Sequence, residues 1–176
     1  IENRRTVLPL DYIKATKNSD PRAAFEARLY KNAQMAARAA KLALERTALK
    51  PEDIGMVIAG SSTPDNVTPA EASAIAAELR IEVPCLDMNS ACSSFGMQIN
   101  FLSRMQPETF PDYILVIDSE TLTKCVDYNN RSTAVLFGDG SAAAIVSTKI
   151  PSRAVFTDCI FDSRPSATGW RRSFAG

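Results

Sequence analysis

Residues 85–102 read CLDMNSACSSFGMQINFL, and this stretch decides the fold. The segment VPCLDM, 83–88, is short and apolar enough to predict a strand. The segment SSFGMQINFLSRM, 93–105, predicts a helix, because Phe95, Ile99 and Leu102 recur on one side of it. Cys92 therefore lies at the corner between a strand and a helix, among small residues.

Strands and helices alternate on either side of this corner. The segments GMVIAG, 55–60, and DYILVIDSE, 112–120, predict two more strands that are buried on both faces. A long helix is expected from an N-cap at Asp20 to Leu44, with Pro21 at its first position. This alternation implies parallel strand pairing, with helices on both faces of one sheet.

The pattern changes after about residue 130. The segment STAVLFGDGSAAAIVS, 132–147, contains two apolar runs around Gly138, Asp139 and Gly140, and it predicts a β-hairpin whose glycines permit positive φ. The segment RAVFTDCIFDS, 153–163, predicts a fifth strand. The expected fold class is thus α/β, with a mixed five-stranded sheet and helices on both faces.

Composition limits the class of protein. The 176 residues are 45% hydrophobic and 23% charged, which is enough for one domain or most of one. Lys plus Arg and Asp plus Glu are balanced at 20 each, so no electrostatic footprint for nucleic acid is visible. No apolar run approaches the roughly 20 residues of a membrane helix, and the N-terminus lacks a signal-peptide pattern. The sequence predicts a cytoplasmic protein that binds neither nucleic acid nor membrane.

The four cysteines, Cys85, Cys92, Cys125 and Cys159, are far apart, and histidine is absent. This argues against a zinc site and against disulfides in the cytosol. Cys92 has a chemical interpretation, because a helix N-terminus favours the nucleophilic thiolate and its N–H groups can bind an oxyanion. The alternative is that Cys92 is one more small buried side chain.

The combination of SACSSFG, 90–96, with NRSTAVLFGDGSAAAIV, 130–146, resembles the β-ketoacyl-[acyl-carrier-protein] synthase III family of thiolase-like condensing enzymes. The resemblance implies that residues 1–176 are the N-terminal half of a duplicated thiolase-like fold. The family's first strand and coenzyme A-binding loop would precede Ile1, and the C-terminal half would follow. Family members are normally homodimers that pack through this N-terminal half, so self-association is expected.

The resemblance also implies a reaction. Cys92 would be acylated by acyl-CoA or acyl-carrier-protein, with no further cofactor, and the acyl group would pass to a malonyl-type thioester in a Claisen condensation. The family's histidine and asparagine for this second step come from the C-terminal half. Such enzymes serve fatty acid, polyketide or other secondary metabolism. Two alternatives stay open: acyl transfer to an oxygen or nitrogen acceptor, and a non-catalytic partner subunit of a heterodimeric synthase.

Other positions follow from the same resemblance. Arg131 matches a contact to the coenzyme A adenine, Thr68 matches a position that lines the acyl tunnel across the dimer interface, and Phe137 would form part of the tunnel wall. Each has a simpler interpretation: an exposed arginine, a helix cap and a core residue. The pattern Thr68, Pro69, Glu71 predicts a capping box at a helix start, although relatives that abstract a substrate proton sometimes use a glutamate near the cysteine.

Overall fold

A four-stranded mixed sheet lies at the centre of the protein. The computed structural model describes residues 3–27, 31–152, 154–158, 160 and 162–164. The strands are β1 (Met56–Gly60), β2 (Cys85–Asp87), β3 (Ile114–Glu120) and β4 (Gly140–Val146), in the order β2-β1-β3-β4. Strand β1 pairs in parallel with both β2 and β3, and β4 runs antiparallel to β3. The prediction of parallel pairing for the first three strands is confirmed.

Helices cover both faces of this sheet, as the alternation predicted. The helices are α1 (Leu10–Thr16), α2 (Pro21–Glu26), α3 (Asn32–Thr47), α4 (Glu71–Leu79), α5 (Ser94–Ser103) and α6 (Arg131–Ala134). On one face, Val57 and Leu115 are fully buried in a core that also contains the alanine-rich side of α3 and the apolar side of α4. On the other face, Ile58 and Val116 pack with Leu102 of α5.

The prediction of a single long helix after Asp20 is wrong, because the segment forms two separate helices. Asp20 does cap α2, since its carboxylate accepts a hydrogen bond from the Arg22 N–H at 3.0 Å. However, α2 ends at Glu26, and α3 begins at Asn32. The cause lies outside the segment, because the Asp65 carboxylate accepts from the first N–H groups of α3, at 2.8 and 3.0 Å. This side chain satisfies N–H groups that a helix leaves unpaired, so a separate helix starts there.

The capping box predicted at Thr68 and Glu71 is also wrong. Helix α4 begins at Glu71, and its first two N–H groups, those of Glu71 and Ala72, donate to the carboxylate oxygens of Asp87 at 2.7 and 2.8 Å. Asp87 is the last residue of β2. The cap is therefore supplied by a neighbouring strand rather than by the local sequence, and Thr68 is exposed.

The predicted hairpin does not form. Residues 131–134 are helix α6, and the structure has no glycine with positive φ among its described residues. Asp139 instead joins two distant segments, because its carboxylate accepts from the N–H groups of Val7 and Thr123, at 2.7 and 2.9 Å. Only the second apolar run becomes a strand, β4, and its partner is β3.

The predicted fifth strand, 153–163, is not observed. Residues 153, 159 and 161 lie outside the described residues, and the remaining positions are not in strand. Val155 and Ile160 are 75% and 92% exposed. An apolar strand needs a sheet edge to pair with and a layer to cover it, and these side chains have no such cover. The described sheet therefore has four strands rather than five. No helix within the described ranges is both long and apolar enough to cross a bilayer.

The cap from β2 gives a test of this architecture. We expect Asp87→Ala to lower the free energy of unfolding by about 1–2 kcal/mol, because it removes the acceptor for two N–H groups at the start of α4. Thr68→Ala is the matched control and should change stability by less than about 0.5 kcal/mol, as exposed substitutions do. Urea unfolding measures both. A larger loss for Thr68→Ala than for Asp87→Ala would contradict the assignment.

Candidate functional site

Cys92 lies in a short 3₁₀ turn, Ala91–Ser93, immediately before α5. The prediction of a cysteine at a strand-to-helix corner is confirmed, with the nucleophile candidate two residues before the first helical residue. Ala91 has a positive φ of 48°, a conformation that costs a non-glycine residue free energy and that recurs at functional sites. Asn89 supports this conformation, because its side-chain oxygen accepts from the Ala91 N–H at 2.9 Å.

Ser94 holds the same loop from the helix side. It is 4% exposed, and its hydroxyl accepts from the Ser90 N–H and donates to the Ala91 carbonyl, both at 2.8 Å. The N–H groups of Ser93 and Ser94 donate to the carbonyls of Ser90 and Ala91 within the turn. An oxyanion formed at Cys92 would therefore need other donors than these two groups.

Cys92 is exposed, and it lines a cavity of about 1070 Å³, which we call the Cys92 cavity. The wall is mostly apolar or small, with Phe95, Phe137, Leu122 and the alanines of β4 among its members. A cavity of this kind suits an acyl chain, since apolar burial is favourable and the residues around the sulfur leave room for it.

The structure brings together two of the four predicted site residues. Cys92 and Phe137 both line the Cys92 cavity. Arg131 is the first residue of α6 and is exposed, and Thr68 is exposed in the segment before α4; neither is part of the cavity wall. The roles predicted for these residues in binding coenzyme A or an acyl chain stay predictions.

The cysteines differ in their surroundings. Cys125 also lines the Cys92 cavity, but burial raises the pKa of its thiol, an effect that the nearby Lys124 opposes. Burial likewise raises the pKa of Cys85, which lies in β2. A raised pKa disfavours the thiolate, so both are poorer nucleophiles. Cys159 lies outside the described residues. Among the described residues no group of three or more His, Cys, Asp or Glu side chains could hold a metal ion.

Glu71 is a buried structural carboxylate rather than a capping-box residue. It is 3% exposed, and its two oxygens accept from the Asn32 side-chain amide at 3.1 Å and from the Asp65 N–H at 3.0 Å. Burial raises its pKa, and the charges of Asp65 and Asp87 add to this, while the two hydrogen bonds oppose it. It does not line the Cys92 cavity.

Sequence reasoning missed a polar pair beside the cysteine loop. Gln98 of α5 is fully buried, and its amide donates to the Met88 carbonyl at 2.9 Å and to Asp118 Oδ1 at 3.0 Å. Asp118 lies opposite Gly60 in the β1–β3 register and lines the Cys92 cavity. Burial raises the pKa of the Asp118 carboxyl, the hydrogen bond from Gln98 lowers it, and the charge of Glu120 raises it. The available signal was a carboxylate directly after the apolar run 114–117 of β3.

Comparison with known proteins identifies relatives of this chain. A family model for 3-oxoacyl-[acyl-carrier-protein (ACP)] synthase III matches residues 86–163. The β-ketoacyl-[acyl-carrier-protein] synthase III of Sphingopyxis alaskensis is 34% identical over 78% of this chain and 47% of that protein. The family-model match includes both the cysteine corner and the β4 segment.

Two solved structures extend the comparison to the fold. The 3-oxoacyl-[acyl-carrier-protein] synthase III of Aquifex aeolicus aligns with a TM-score of 0.63 and 33% identity over 71% of this chain and 40% of that one. The priming β-ketosynthase of the R1128 polyketide pathway aligns with a TM-score of 0.60 and 30% identity over 68% of this chain and 36% of that one. The chain thus spans less than half of the length of these relatives, and its fold is thiolase-like.

The buried carboxylate of Glu71 predicts a pH-dependent stability. Its pKa is raised in the folded protein from the ordinary value of 4.5. Above that ordinary value the folded state holds more proton at Glu71 than the unfolded state does, so the stability that Glu71 contributes falls as pH rises. We expect the free energy of unfolding of the wild type, minus that of Glu71→Gln, to decrease from pH 4.5 to 7.5.

Urea unfolding across this pH range measures that difference. Glu78→Gln removes an exposed carboxylate from the same helix and is the matched control for the loss of one negative charge. An increase of the wild-type advantage with pH, relative to this control, would contradict the raised pKa of Glu71.

The close packing around Gly60 predicts that a larger residue there lowers the stability of the protein. A Cβ at Gly60 would overlap the Asp118 carboxylate and lie 2.7 Å from Gln98 Nε2 and 2.8 Å from Ser94 Cβ. Gly60→Ala should therefore lower the free energy of unfolding by about 1–3 kcal/mol, as overpacking does. Gly96→Ala in α5, where the added Cβ meets nothing within 4 Å, should raise it by about 0.5–1 kcal/mol. If urea unfolding gives the same change in the free energy of unfolding for Gly60→Ala and Gly96→Ala, the prediction is contradicted. Asp118, Gln98 and Ser94 would then move away from the added Cβ at no cost.

Proposed function

Because this chain is related to the β-ketoacyl-[acyl-carrier-protein] synthase III family, we propose that it carries the acyl-accepting cysteine of a condensing enzyme of that type. Cys92 is the proposed acyl acceptor. The donor is an acyl thioester, either acyl-CoA or acyl-carrier-protein. The metabolic setting is fatty acid biosynthesis or the related synthesis of polyketides and other secondary metabolites.

One observation carries this proposal: the exposed Cys92 thiol lies on the wall of a cavity of about 1070 Å³ whose wall is mostly apolar or small. The positive φ of Ala91 and the two hydrogen bonds of Ser94 fix the loop that presents the sulfur. The other cysteine of this cavity, Cys125, is less suited because burial raises the pKa of its thiol. Cys92 is therefore the better candidate for nucleophilic attack.

The first half-reaction follows from thioester chemistry. The Cys92 thiolate attacks the carbonyl carbon of the acyl thioester and gives a tetrahedral oxyanion. The carbonyl re-forms as the carbon–sulfur bond to coenzyme A or to the carrier protein's thiol breaks, and that thiolate takes up a proton. The product is an acyl-Cys92 thioester, with its chain in the Cys92 cavity.

In the second half-reaction the malonyl-type thioester loses its carboxylate as CO2, and the α-carbanion that this leaves attacks the carbonyl of acyl-Cys92, so that the carbon–sulfur bond breaks and the Cys92 thiolate is regenerated. The resemblance assigns it to a histidine and an asparagine of the C-terminal half, and this sequence has no histidine. We therefore assign only the acyl-accepting step to the residues present. The proposal includes a homodimer formed through this half and a cytoplasmic location, with no partner among nucleic acids or membranes.

Three further residues receive roles in substrate binding by the same resemblance. Arg131 is exposed and has a guanidinium able to stack on an adenine or bind a phosphate, so we propose it as the coenzyme A contact. Phe137 lines the Cys92 cavity and is proposed as part of the acyl tunnel wall. Thr68, which is exposed, is proposed to line the acyl tunnel of the partner protomer across the dimer interface.

Intact-mass spectrometry tests the acyl-accepting step. The protein is incubated with acetyl-, butyryl-, hexanoyl- and octanoyl-CoA, and we expect one acyl adduct whose mass follows the chain supplied. The adduct should be absent in Cys92→Ala, because the nucleophile is gone. The preferred chain length reports how the cavity accommodates the acyl group.

Cys85→Ala is the matched control, since Cys85 lies in β2 away from the cavity and should leave the adduct unchanged. An acyl adduct that persists in Cys92→Ala would show that a residue other than Cys92 accepts the acyl group. A wild-type protein that stays unmodified with every thioester would reject acyl acceptance by these residues alone.

A further inference from the structure

Asp118 places a carboxylate with spare hydrogen-bonding capacity at the Cys92 cavity. It lies in β3 between Gly60 of β1 and Ala142 of β4 in the strand register. Its Oδ1 accepts from the Gln98 amide at 3.0 Å, whereas its Oδ2 is buried and has no hydrogen-bond partner in the described part of the chain. A carboxylate can accept about four hydrogen bonds, so this group is under-satisfied as it stands.

Glu120 is the other carboxylate of the cavity, and it differs from Asp118. Its Oε1 accepts from the Ser62 N–H at 2.7 Å, and its Oε2 accepts from the Thr63 hydroxyl at 2.8 Å. Both of its oxygens are thus used to hold the segment after β1. Of the two carboxylates on the wall, Asp118 is the one with an oxygen, Oδ2, that accepts no hydrogen bond from the described residues.

The cavity has no basic side chain to balance these two carboxylates. None of the described residues that line it is Lys or Arg, and the other members are small, apolar or hydroxyl-bearing. Two carboxylates without a basic neighbour on the wall repel an anionic group on a ligand, and a hydrogen-bonding group placed next to Asp118 is favoured. The wall therefore offers apolar contacts to an alkyl chain and, at Asp118, an acceptor for one polar group on that chain.

The packing of this chain fixes the position of the Asp118 side chain. The Gln98 side chain is fully buried and connects Asp118 to the Met88 carbonyl, three residues before the 3₁₀ turn of Cys92. Gly60 leaves the space that the Asp118 carboxylate and the Gln98 amide occupy, since a Cβ there would overlap them. Asp118 is thus held in a defined position relative to the cysteine loop.

We propose that Asp118 is a specificity-determining residue that hydrogen bonds a hydroxyl group on the acyl chain delivered to Cys92. This inference rests on the proposed acyl-accepting function. A hydroxyl is the group that fits best, because it donates to an ionised carboxylate and accepts from a protonated one. A carbonyl could only accept, and an ammonium group could only donate.

Competing acylation tests the proposal. The wild type is incubated with butyryl-CoA and with 3-hydroxybutyryl- or 4-hydroxybutyryl-CoA, and the initial rate of each Cys92 adduct is read from intact mass. One hydroxyacyl chain should react about ten- to a hundredfold faster than butyryl, the range expected of a hydrogen bond to a charged group. Asp118→Ala should bring this ratio to about 1, while Asp118→Asn, which keeps a hydrogen-bonding group, should retain part of it.

A preference that survives in Asp118→Ala, or equal rates in the wild type, would overturn the inference. Calorimetric binding of the same thioesters to Cys92→Ala, which keeps Asp118 but cannot be acylated, separates this result from the proposed function. Tighter binding of a hydroxyacyl-CoA without acylation of the wild type would reject only the acyl-accepting role. If butyryl-CoA and the hydroxybutyryl-CoAs bind Cys92→Ala equally, or do not bind it, the role of Asp118 is rejected. This binding measurement does not use Asp118→Ala, so it decides the question even if that variant does not fold.

Discussion

Parallel pairing of β2, β1 and β3 is the constraint on which the rest of the structure depends. It brings the carboxyl ends of the three strands to one edge of the sheet, the edge at which α/β proteins commonly bind ligands. Gly60, Asp87 and Asp118 lie at those ends in adjacent register, and the Cys92 turn follows β2. A loop that would be unremarkable on its own thereby shares a cavity with side chains from β3 and β4.

Local patterns predicted the strands β1, β2 and β3 and the helices α4 and α5, because apolar runs and helical spacing are properties of short segments. They failed where a distant side chain decides the outcome. Asp65 and Asp87 accept from the first N–H groups of α3 and α4 and lie 33 and 16 residues away from them, and nothing near either helix encodes those contacts. The Gly138–Gly140 segment failed for a similar reason, since Asp139 bonds to Val7 and Thr123 instead of closing a hairpin.

The candidate site divides in the same way. Cys92 could be predicted from its neighbours, because small residues between a strand and a helix are a local signal. Phe137 could be assigned to the cavity only through a family resemblance. Asp118 is visible in the sequence only as a carboxylate after an apolar run. Its pairing with Gln98 could not be predicted, because that pairing requires the register of β3 against β1 and the placement of α5 over that face. A functional residue within one loop can be predicted from the sequence, whereas a contact between side chains of different elements cannot.

The carboxylates that cap α3 and α4 have a consequence for how the chain folds. The N–H groups at such a helix start bond to a carboxylate that is distant in sequence. The helix gains this stabilisation only after the chain between the two has formed a closed loop, which costs conformational entropy. Neither helix is then an independent nucleus, and each becomes stable together with the strand or loop that caps it. Helix formation and sheet assembly are coupled into one cooperative transition, in which early local helices are weakly populated and non-local contacts limit the folding rate.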